Sequence, residues 1–249
     1  MKHTKHLLFG FLLLATVSIQ AQVGIGTLSP EASAQLDVHS TTKGFLPPRM
    51  DSTQRNAIIS PVEGLTIYNT SIKAFQVYNG TAWFSTVHYI GESYGGGIVF
   101  YVYDNGQHGL IASTADQSTG TNWYFLANGF YPLTGSTGDG LNAGAMNTAM
   151  IVASQMDDSQ IANPAAKLCA DYSVTVNGIT YGDWYLPSKY ELNLLVLQHA
   201  IVGGFNNNST YWSSTEFDGG NAWIQDINTI QINIFKGSSS PRLRAIRAF

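Results

Sequence analysis

The side chains that could do chemistry are few and scattered along this sequence. Ser40 and Lys43 have the S-x-x-K spacing of serine acyl-transferases, but no S-D-N or K-T-G partner follows. We therefore interpret the match as chance. Four histidines follow residue 21, and no two stand at the spacing of zinc ligands, so no zinc site is predicted. They are His39, His88, His108 and His199, of which the last is expected to be half-buried with its hydrogen bonds satisfied.

Carboxylates could ligate calcium or act as general acids and bases. Asp157, Asp158, Asp218 and Asp226 offer oxygen ligands, yet scattered carboxylates are usually solvated surface charges. Glu191 is explained by a capping box with Ser188, and Glu216 by its place in the Y-W-S-S-T-E strand motif. No catalytic residue, metal or cofactor is therefore predicted, and the chain is not expected to be an enzyme. A glycan-processing enzyme stays a remote alternative, since it would need a carboxylate pair across a cleft.

Cys169 is the only cysteine, so no disulfide within the chain is available. It lies on a predicted helix that Asn163 would cap and Pro164 would open. A small buried hydrophobic side chain is favoured over a reactive thiol.

Arg242, Arg244 and Arg247 form the one basic cluster. Two interpretations are open: a docking patch for sulfated or carboxylated glycan, or a strand whose arginines pair with the domain's own carboxylates. The second is preferred.

The N-terminus has the order of a secretory signal. Lys2 and Lys5 precede an apolar run that ends at a small residue, which predicts cleavage after Ala21 and an exported, extracellular or cell-surface protein. The run is shorter than the ~20 residues that cross a bilayer, so no membrane span is expected after its removal. Cleavage would take the formal net charge from -4 to about -6, which argues against nucleic acid as a partner.

The predicted strands and helices divide the chain into two parts. Residues 22–90 are predicted to form a short β module, with a hairpin over 64–83 whose Asn79-Gly80 is typical of a type I′ turn. Residues 91–249 open with a second hairpin around Asn105-Gly106. A stripe of apolar residues at helical spacing is predicted to fill the core. The stripe consists of Ala145, Met146, Ala149, Met150, Ala153 and Met156.

The last third carries the densest pattern. A strand with Trp184 and Leu186 is expected to stop at Pro187, and Ser188 with Glu191 forms a capping box that starts a helix. Strands are then predicted over 211–215, 222–227, 230–235 and 243–249. Trp184, Trp212 and Trp223 are predicted to be core residues.

These motifs, W-Y-L-P-S-x-x-E-L, Y-W-S-S-T-E, N-A-W and the R-A-I-R-A-F end, resemble the C-terminal domain of bacterial collagen-like adhesins, which has a C-type-lectin-like fold. The resemblance covers Gly91 to Phe249. It implies an α+β domain with mixed, mostly antiparallel strands and two or three helices. The E-P-N and Q-P-D tripeptides with which many C-type lectins hold calcium and a sugar are absent. The single cysteine cannot supply the cysteine pair used by the formylglycine-generating enzyme, which has a related fold.

The N-terminal module also has a resemblance. Val23-Gly24-Ile25-Gly26-Thr27, Leu36-Asp37-Val38 and the following Lys43-to-Met50 segment resemble a module found in Bacteroidota surface proteins. The first part is similar to the G-I-G-T repeats of phage tail-fibre shafts. Such shafts are trimeric, so the resemblance implies a homotrimer held by residues 22–83.

The function predicted from this pattern is adhesin-like recognition of an extracellular glycan or protein ligand. The binding surface is placed on the loops and outer strand faces between residues 217 and 240. Its candidate residues are Phe217, Asp218, Asn221, Ile224, Asp226, Asn228, Gln231 and Asn233. The main alternative is a structural fibre tip or surface-assembly protein.

A further alternative concerns the composition of that surface. Its non-framework positions hold only Phe, Asp, Gly, Asn, Ile and Ser, and each is reachable from an Asn codon by replacing adenines. This resembles lectin-like proteins that are varied by diversity-generating retroelements. Ordinary turn composition is the preferred explanation.

Overall fold

A computed structural model describes residues 22–125, 131–155 and 163–249. The predicted signal segment, Met156 and Asp157-Asp158 lie outside the described residues. The strands are β1 (Val23–Ile25), β2 (Leu36–Val38), β3 (Arg49–Met50), β4 (Thr66–Asn69), β5 (Ala74–Tyr78), β6 (Trp83–Ser85), β7 (Ser93–Tyr94), β8 (Gly97–Tyr103), β9 (His108–Ala112), β10 (Val174–Val176), β11 (Ile179–Tyr181), β12 (Thr210–Glu216), β13 (Asn221–Asp226), β14 (Gln231–Phe235) and β15 (Ile246–Ala248). The helices are α1 (Ser52–Asn56), α2 (Ala143–Gln155), α3 (Ala165–Ala170), α4 (Lys189–Leu197) and α5 (His199–Val202).

The fold is mixed α+β with mostly antiparallel sheets, as predicted. Among the described residues, only the pairs β1–β2 and β3–β4 are parallel. Four helices rather than two or three follow residue 91, because the short α5 comes directly after α4 in addition to the predicted helices.

The N-terminal module contains a sheet in the order β3-β4-β5-β6, and α1 begins at an Asp51–Gln54 capping box. The buried side of the sheet is partly polar. Ile67 and Ala74 lie beside Asn69, whose Nδ2 donates to Gln76 Oε1 at 2.8 Å. Its interior is therefore a small hydrogen-bonded network rather than an apolar core.

The turn between β5 and β6 differs from the prediction. Tyr78 pairs with Trp83, so the loop has four residues, and only Gly80 among Asn79 and Gly80 has a positive φ. A type I′ turn needs a positive φ at both positions. Instead, the Asn79 side chain closes the loop by accepting from the backbone N–H of Ala82 at 2.8 Å.

The C-terminal domain packs two main sheets, β15-β9-β8-β7 and β12-β13-β14, against α2 and α4. Its core forms two clusters whose members all follow residue 97. Trp212 and Trp184 are 0% and 3% exposed, as predicted. Trp223 is only half-buried, because it lies on the outer face of β13 under Lys189 Nζ, 4.0 Å from its ring centroid.

Helix α2 presents the opposite face to the core from the one predicted. Met146 is 66% exposed, whereas Gly144, Asn147, Thr148 and Ile151 are buried. The reason is close packing: a Cβ at Gly144 would lie 2.7 Å from the carbonyl oxygen of Leu186. Asn147 and Thr148 then hydrogen-bond the backbone of Gly138 and Leu186 respectively.

Two further local predictions need correction. The predicted strand through Trp184 and Leu186 is a single bridge between Tyr185 and Ile246. Asn163 does not cap α3, since Pro164 holds the cap position without a side-chain hydrogen bond. The capping box of Ser188 and Glu191 at the start of α4 is confirmed.

Candidate functional site

The eight candidate binding residues lie on β13, on β14 and on the two turns that flank β13. Asp218 and Asn221 belong to the turn from β12 to β13, and Asp226 and Asn228 to the turn from β13 to β14. These turns lie at opposite ends of a six-residue strand, about 17 Å apart at ~3.3 Å per residue. The structure therefore spreads the candidates along a sheet edge and does not bring them into one pocket.

The polar side chains of both turns hold the turns themselves. Asp218 Oδ1 accepts from the backbone N–H of Gly220 and of Asn221, each at 2.8 Å. Asp226 Oδ1 accepts from the backbone N–H of Ile230 at 2.9 Å. Such Asx turns explain these residues by local structure.

Two candidates face inward. Ile224 is 3% exposed and pairs with Trp212 on the neighbouring strand, so it belongs to the core and cannot contact a ligand. Gln231 donates to Lys189 O at 3.1 Å and to Gln225 Oε1 at 2.8 Å, which ties β14 to the start of α4.

Four large apolar side chains of this region are exposed, beside exposed polar residues at the turns. Phe217 is 50% exposed, and Ile230, Ile232 and Phe235 are between 48% and 59% exposed. Asn233 lies between them, half-buried on the edge strand β14. Of the named candidates, Phe217, Asp218 and Asn228 are exposed, and Asn221, Asp226 and Asn233 are partly exposed. Their binding role stays a prediction.

Three buried carboxylates, those of Asp116, Glu191 and Glu216, have long-range partners that the sequence does not predict. Each ties the long segment 113–142, which lacks regular strands and helices over its described part, to the framework. Asp116 accepts from Arg244 Nε at 2.8 Å, from Arg242 Nη1 at 3.1 Å and from the Tyr211 hydroxyl at 3.1 Å. Two of the three arginines thus pair with an internal carboxylate, and Arg247 pairs with Asp183 at 2.6 Å. The preferred interpretation of the basic cluster is confirmed.

Glu216 and Lys236 form a second contact that fixes the segment 113–142, and both side chains are 0% exposed. Their charged atoms lie 2.5 Å apart, and Glu216 also accepts from the backbone N–H of Thr134 and Gly135. Burial lowers the pKa of Lys236, and the neighbouring Glu216 carboxylate only partly offsets this.

Glu191 forms the third such contact. Besides its capping-box bond to Ser188, it accepts from the backbone N–H of Asn142 at 2.8 Å and of Gly144 at 3.2 Å. Burial raises its pKa above the ordinary value, and the hydrogen bonds from Ser188 and Asn142 lower it only in part. The Tyr185 hydroxyl donates a fourth hydrogen bond at 3.2 Å, so the protein's own groups occupy both oxygens of this carboxylate.

The remaining candidate groups have local partners. Ser40 Oγ accepts from the backbone N–H of Lys43 at 2.9 Å in an exposed turn, and His199 Nδ1 lies 2.9 Å from Val196 O. Cys169 is fully buried, and burial raises the pKa of its thiol well above the ordinary value. Within residues 22–125, 131–155 and 163–249, no group of three or more His, Cys, Asp or Glu is arranged to hold a metal ion.

A different surface stands out in the N-terminal module. Twelve of the 24 large apolar side chains that are exposed in the described part of the chain lie before residue 91. Val23, Ile25, Leu36 and Val38 belong to the β1–β2 pair, and Phe75 and Phe84 to the sheet β3-β4-β5-β6. Exposed apolar side chains that gather in one part of a chain often mark an interaction surface.

Comparison with known families agrees with that surface. Residues 24–139 match the model of a phage tail-like trimerisation region, which is just under half of the chain. The match includes the module's sheets and continues through β8 and β9 of the C-terminal domain. A search of curated proteins finds no match. None of the helices in the described residues is long and apolar enough to span a membrane.

Proposed function

We propose that this protein is a subunit of a homotrimeric, fibre-like surface structure. Residues 22–90 would join three copies, and residues 91–249 would be presented as the terminal domain. The observation that carries the proposal is the match of residues 24–139 to a phage tail-like trimerisation region. The exposed apolar residues of the module support it, because association would remove them from water.

Light scattering on the full chain and on a chain that starts at residue 91 tests this proposal. The full chain should have three times the mass of one subunit, and the shortened chain should be a folded monomer. The domain should survive the truncation because its two core clusters take no residue from before position 98. A monomeric full chain at high concentration would contradict the proposal.

A second proposal concerns the terminal domain, which we infer to be a C-type-lectin-like module that binds a glycan or protein. It rests on the motif resemblance and on the exposed apolar residues Phe217 and Phe235 beside Asn233. Replacing these three with alanine should abolish binding on a glycan array or to a receptor, without shifting the melt. The matched control is Leu133→Ala, an exposed apolar residue outside β12–β14. Unchanged binding by the triple variant would remove the surface assignment.

Export completes the proposed function. We propose that residues 1–21 are a signal peptide that is cleaved after Ala21, so that the protein acts outside the cell. Mass spectrometry of the protein purified from its native source should show a chain that begins at Gln22. An intact Met1 would contradict export by this route.

A further inference from the structure

The ribbon made by β1 and β2 has one face that is entirely apolar. The two strands pair in parallel, with Val23 opposite Leu36 and Ile25 opposite Val38. Because side chains alternate along a strand, these four lie on the same face. They are 53%, 53%, 55% and 42% exposed respectively, so about half of each residue is open to solvent.

A loop of the chain itself lies close to the other face of the ribbon. A Cβ at Gly24 would lie 2.7 Å from Thr27 O and 2.9 Å from Pro30 Cγ, so the loop between the strands folds over this side. Asp37, which pairs with Gly24, uses its Oδ2 to accept from the backbone N–H of Glu31 at 3.0 Å. A local loop therefore approaches one face, and the four apolar side chains lie on the opposite one.

A two-stranded ribbon of three residues per strand is marginal by itself in water. A bare apolar face on such a ribbon adds to the cost of exposing it. The face has no charged side chain among its four members, which does not suit a nucleic acid or an anionic lipid surface. The chemistry fits another apolar protein face.

We propose that the apolar face of the β1–β2 ribbon is buried against the same face of two further copies of this chain. This inference rests on the proposed homotrimer and names the surface that holds it. The matched trimerisation region begins at Gly24, inside β1, so the ribbon belongs to the segment for which self-association is indicated. In a closed three-fold assembly, a patch near the axis meets its own copies.

A matched pair of double variants tests the assignment in the full chain. Ile25→Asp with Val38→Asp places two charges on a cross-strand pair of the ribbon face. Val176→Asp with Ile179→Asp does the same on the β10–β11 hairpin, where the pair is 41% and 56% exposed and lies outside residues 24–139. The first variant should lose association, with a three-fold lower mass by light scattering. The second should keep the mass of the unmodified protein.

The outcomes separate this inference from the proposed function. If the unmodified chain is a trimer and the Ile25/Val38 variant remains one, the ribbon face does not hold the copies together and the inference is wrong. If both variants become monomers, the effect is one of added charge, and the inference again fails. A monomeric unmodified chain contradicts the homotrimer itself.

Cross-linking gives a second readout that does not depend on disrupting the fold. Ile25→Cys introduces one accessible thiol, because the native Cys169 is 0% exposed. A short bis-maleimide should join two copies of this variant at dilute concentration, which doubles the mass on a denaturing gel. Val176→Cys is the control and should stay single. Absence of the Ile25→Cys product in a trimeric sample, or equal product from both variants, would overturn the inference.

Discussion

The two parts of the chain, residues 22–90 and 91–249, differ in how far their apolar side chains are buried. Of the 27 apolar side chains that are buried in the described residues, only Ile67 and Ala74 lie before residue 91. Half of the exposed large ones lie there, although that part is less than a third of the chain. The C-terminal domain has an interior of its own, and the module has its apolar groups on the outside.

The two parts are therefore stabilised differently. The domain is held by internal contacts, including three buried carboxylates that fix its long segment without a disulfide. The module has a polar network inside, and in the proposed homotrimer association would stabilise its exposed apolar side. We therefore expect its stability to depend on protein concentration, whereas that of the domain should not.

The largest effect should come from the domain's core. Trp212→Ala removes a fully buried ring and its hydrogen bond to Thr121 O, so we expect a loss of about 3–5 kcal/mol in the free energy of unfolding. Trp223→Ala is the matched control and should cost clearly less, because Trp223 is half-buried. Denaturant unfolding of residues 91–249 measures both. Equal losses would mean that the outer face of β13 is as closed as the core.

The buried ion pair should give the next effect. Lys236→Met leaves the Glu216 carboxylate buried without its cation, and removing one partner of such a pair costs ~3–5 kcal/mol. The control is Lys167→Met, since Lys167 and Asp171 form a pair whose side chains are 42% and 55% exposed and should contribute under about 1 kcal/mol. Denaturant unfolding of both variants measures the two losses of stability. A small loss for Lys236→Met would show that the segment 131–136 does not need this contact.

The sequence predicted what depends on near neighbours. The capping box of Ser188 and Glu191 spans three residues, and strands β12, β13 and β14 follow from alternation over five to seven residues. It could not predict which carboxylate serves Arg244, because Asp116 is 128 residues away. The same holds for the second role of Glu191, which holds a backbone 47 to 49 residues away.

Burial also escaped prediction where packing overrides hydropathy. The apolar stripe of α2 predicts that Met146 is buried. Instead the opposite face, with Gly144, Asn147 and Thr148, packs against the domain, because the glycine allows a close approach and the two side chains hydrogen-bond the neighbouring backbone. The sequence predicts Ile224 as a ligand contact, because without the register to Trp212 it does not show which face of the strand is buried. For the candidate site, the positions of the turns are predictable from the sequence, but not which of their polar groups are already hydrogen-bonded within the turn.

A glycine variant should affect the module and spare the domain. Gly26 has φ +80°, and a Cβ there would collide with the carbonyl oxygen of His39. Gly26→Ala should therefore disturb the β1–β2 ribbon by about 1–2 kcal/mol and weaken association several-fold. Gly44→Ala is the control, since that position has no atom within 4 Å of the added Cβ. Sedimentation at several concentrations measures association; a variant that associates normally would show that the ribbon is not required for it.

The smallest effect should come from the ion pair of Asp183 and Arg247, whose contribution to stability depends on pH. Because the pair lies in the C-terminal domain, changing it should not alter the mass of the assembly. Partial burial raises the pKa of Asp183, but the hydrogen bonds and charge of Arg247 outweigh it, so the pKa lies below its ordinary value. A carboxyl with a lowered folded-state pKa stabilises the fold above its unfolded pKa, ~3.9, and this is lost as the pH falls through the folded value. Because the Asp183 side chain is 59% exposed, screening keeps the contribution under about 1 kcal/mol. Asp183→Asn should thus be slightly less stable than the unmodified domain at neutral pH, and the two should converge at an acid pH below the folded-state pKa of Asp183. Urea unfolding at both pH values tests this, and a difference that grows on acidification would reverse the assigned sign.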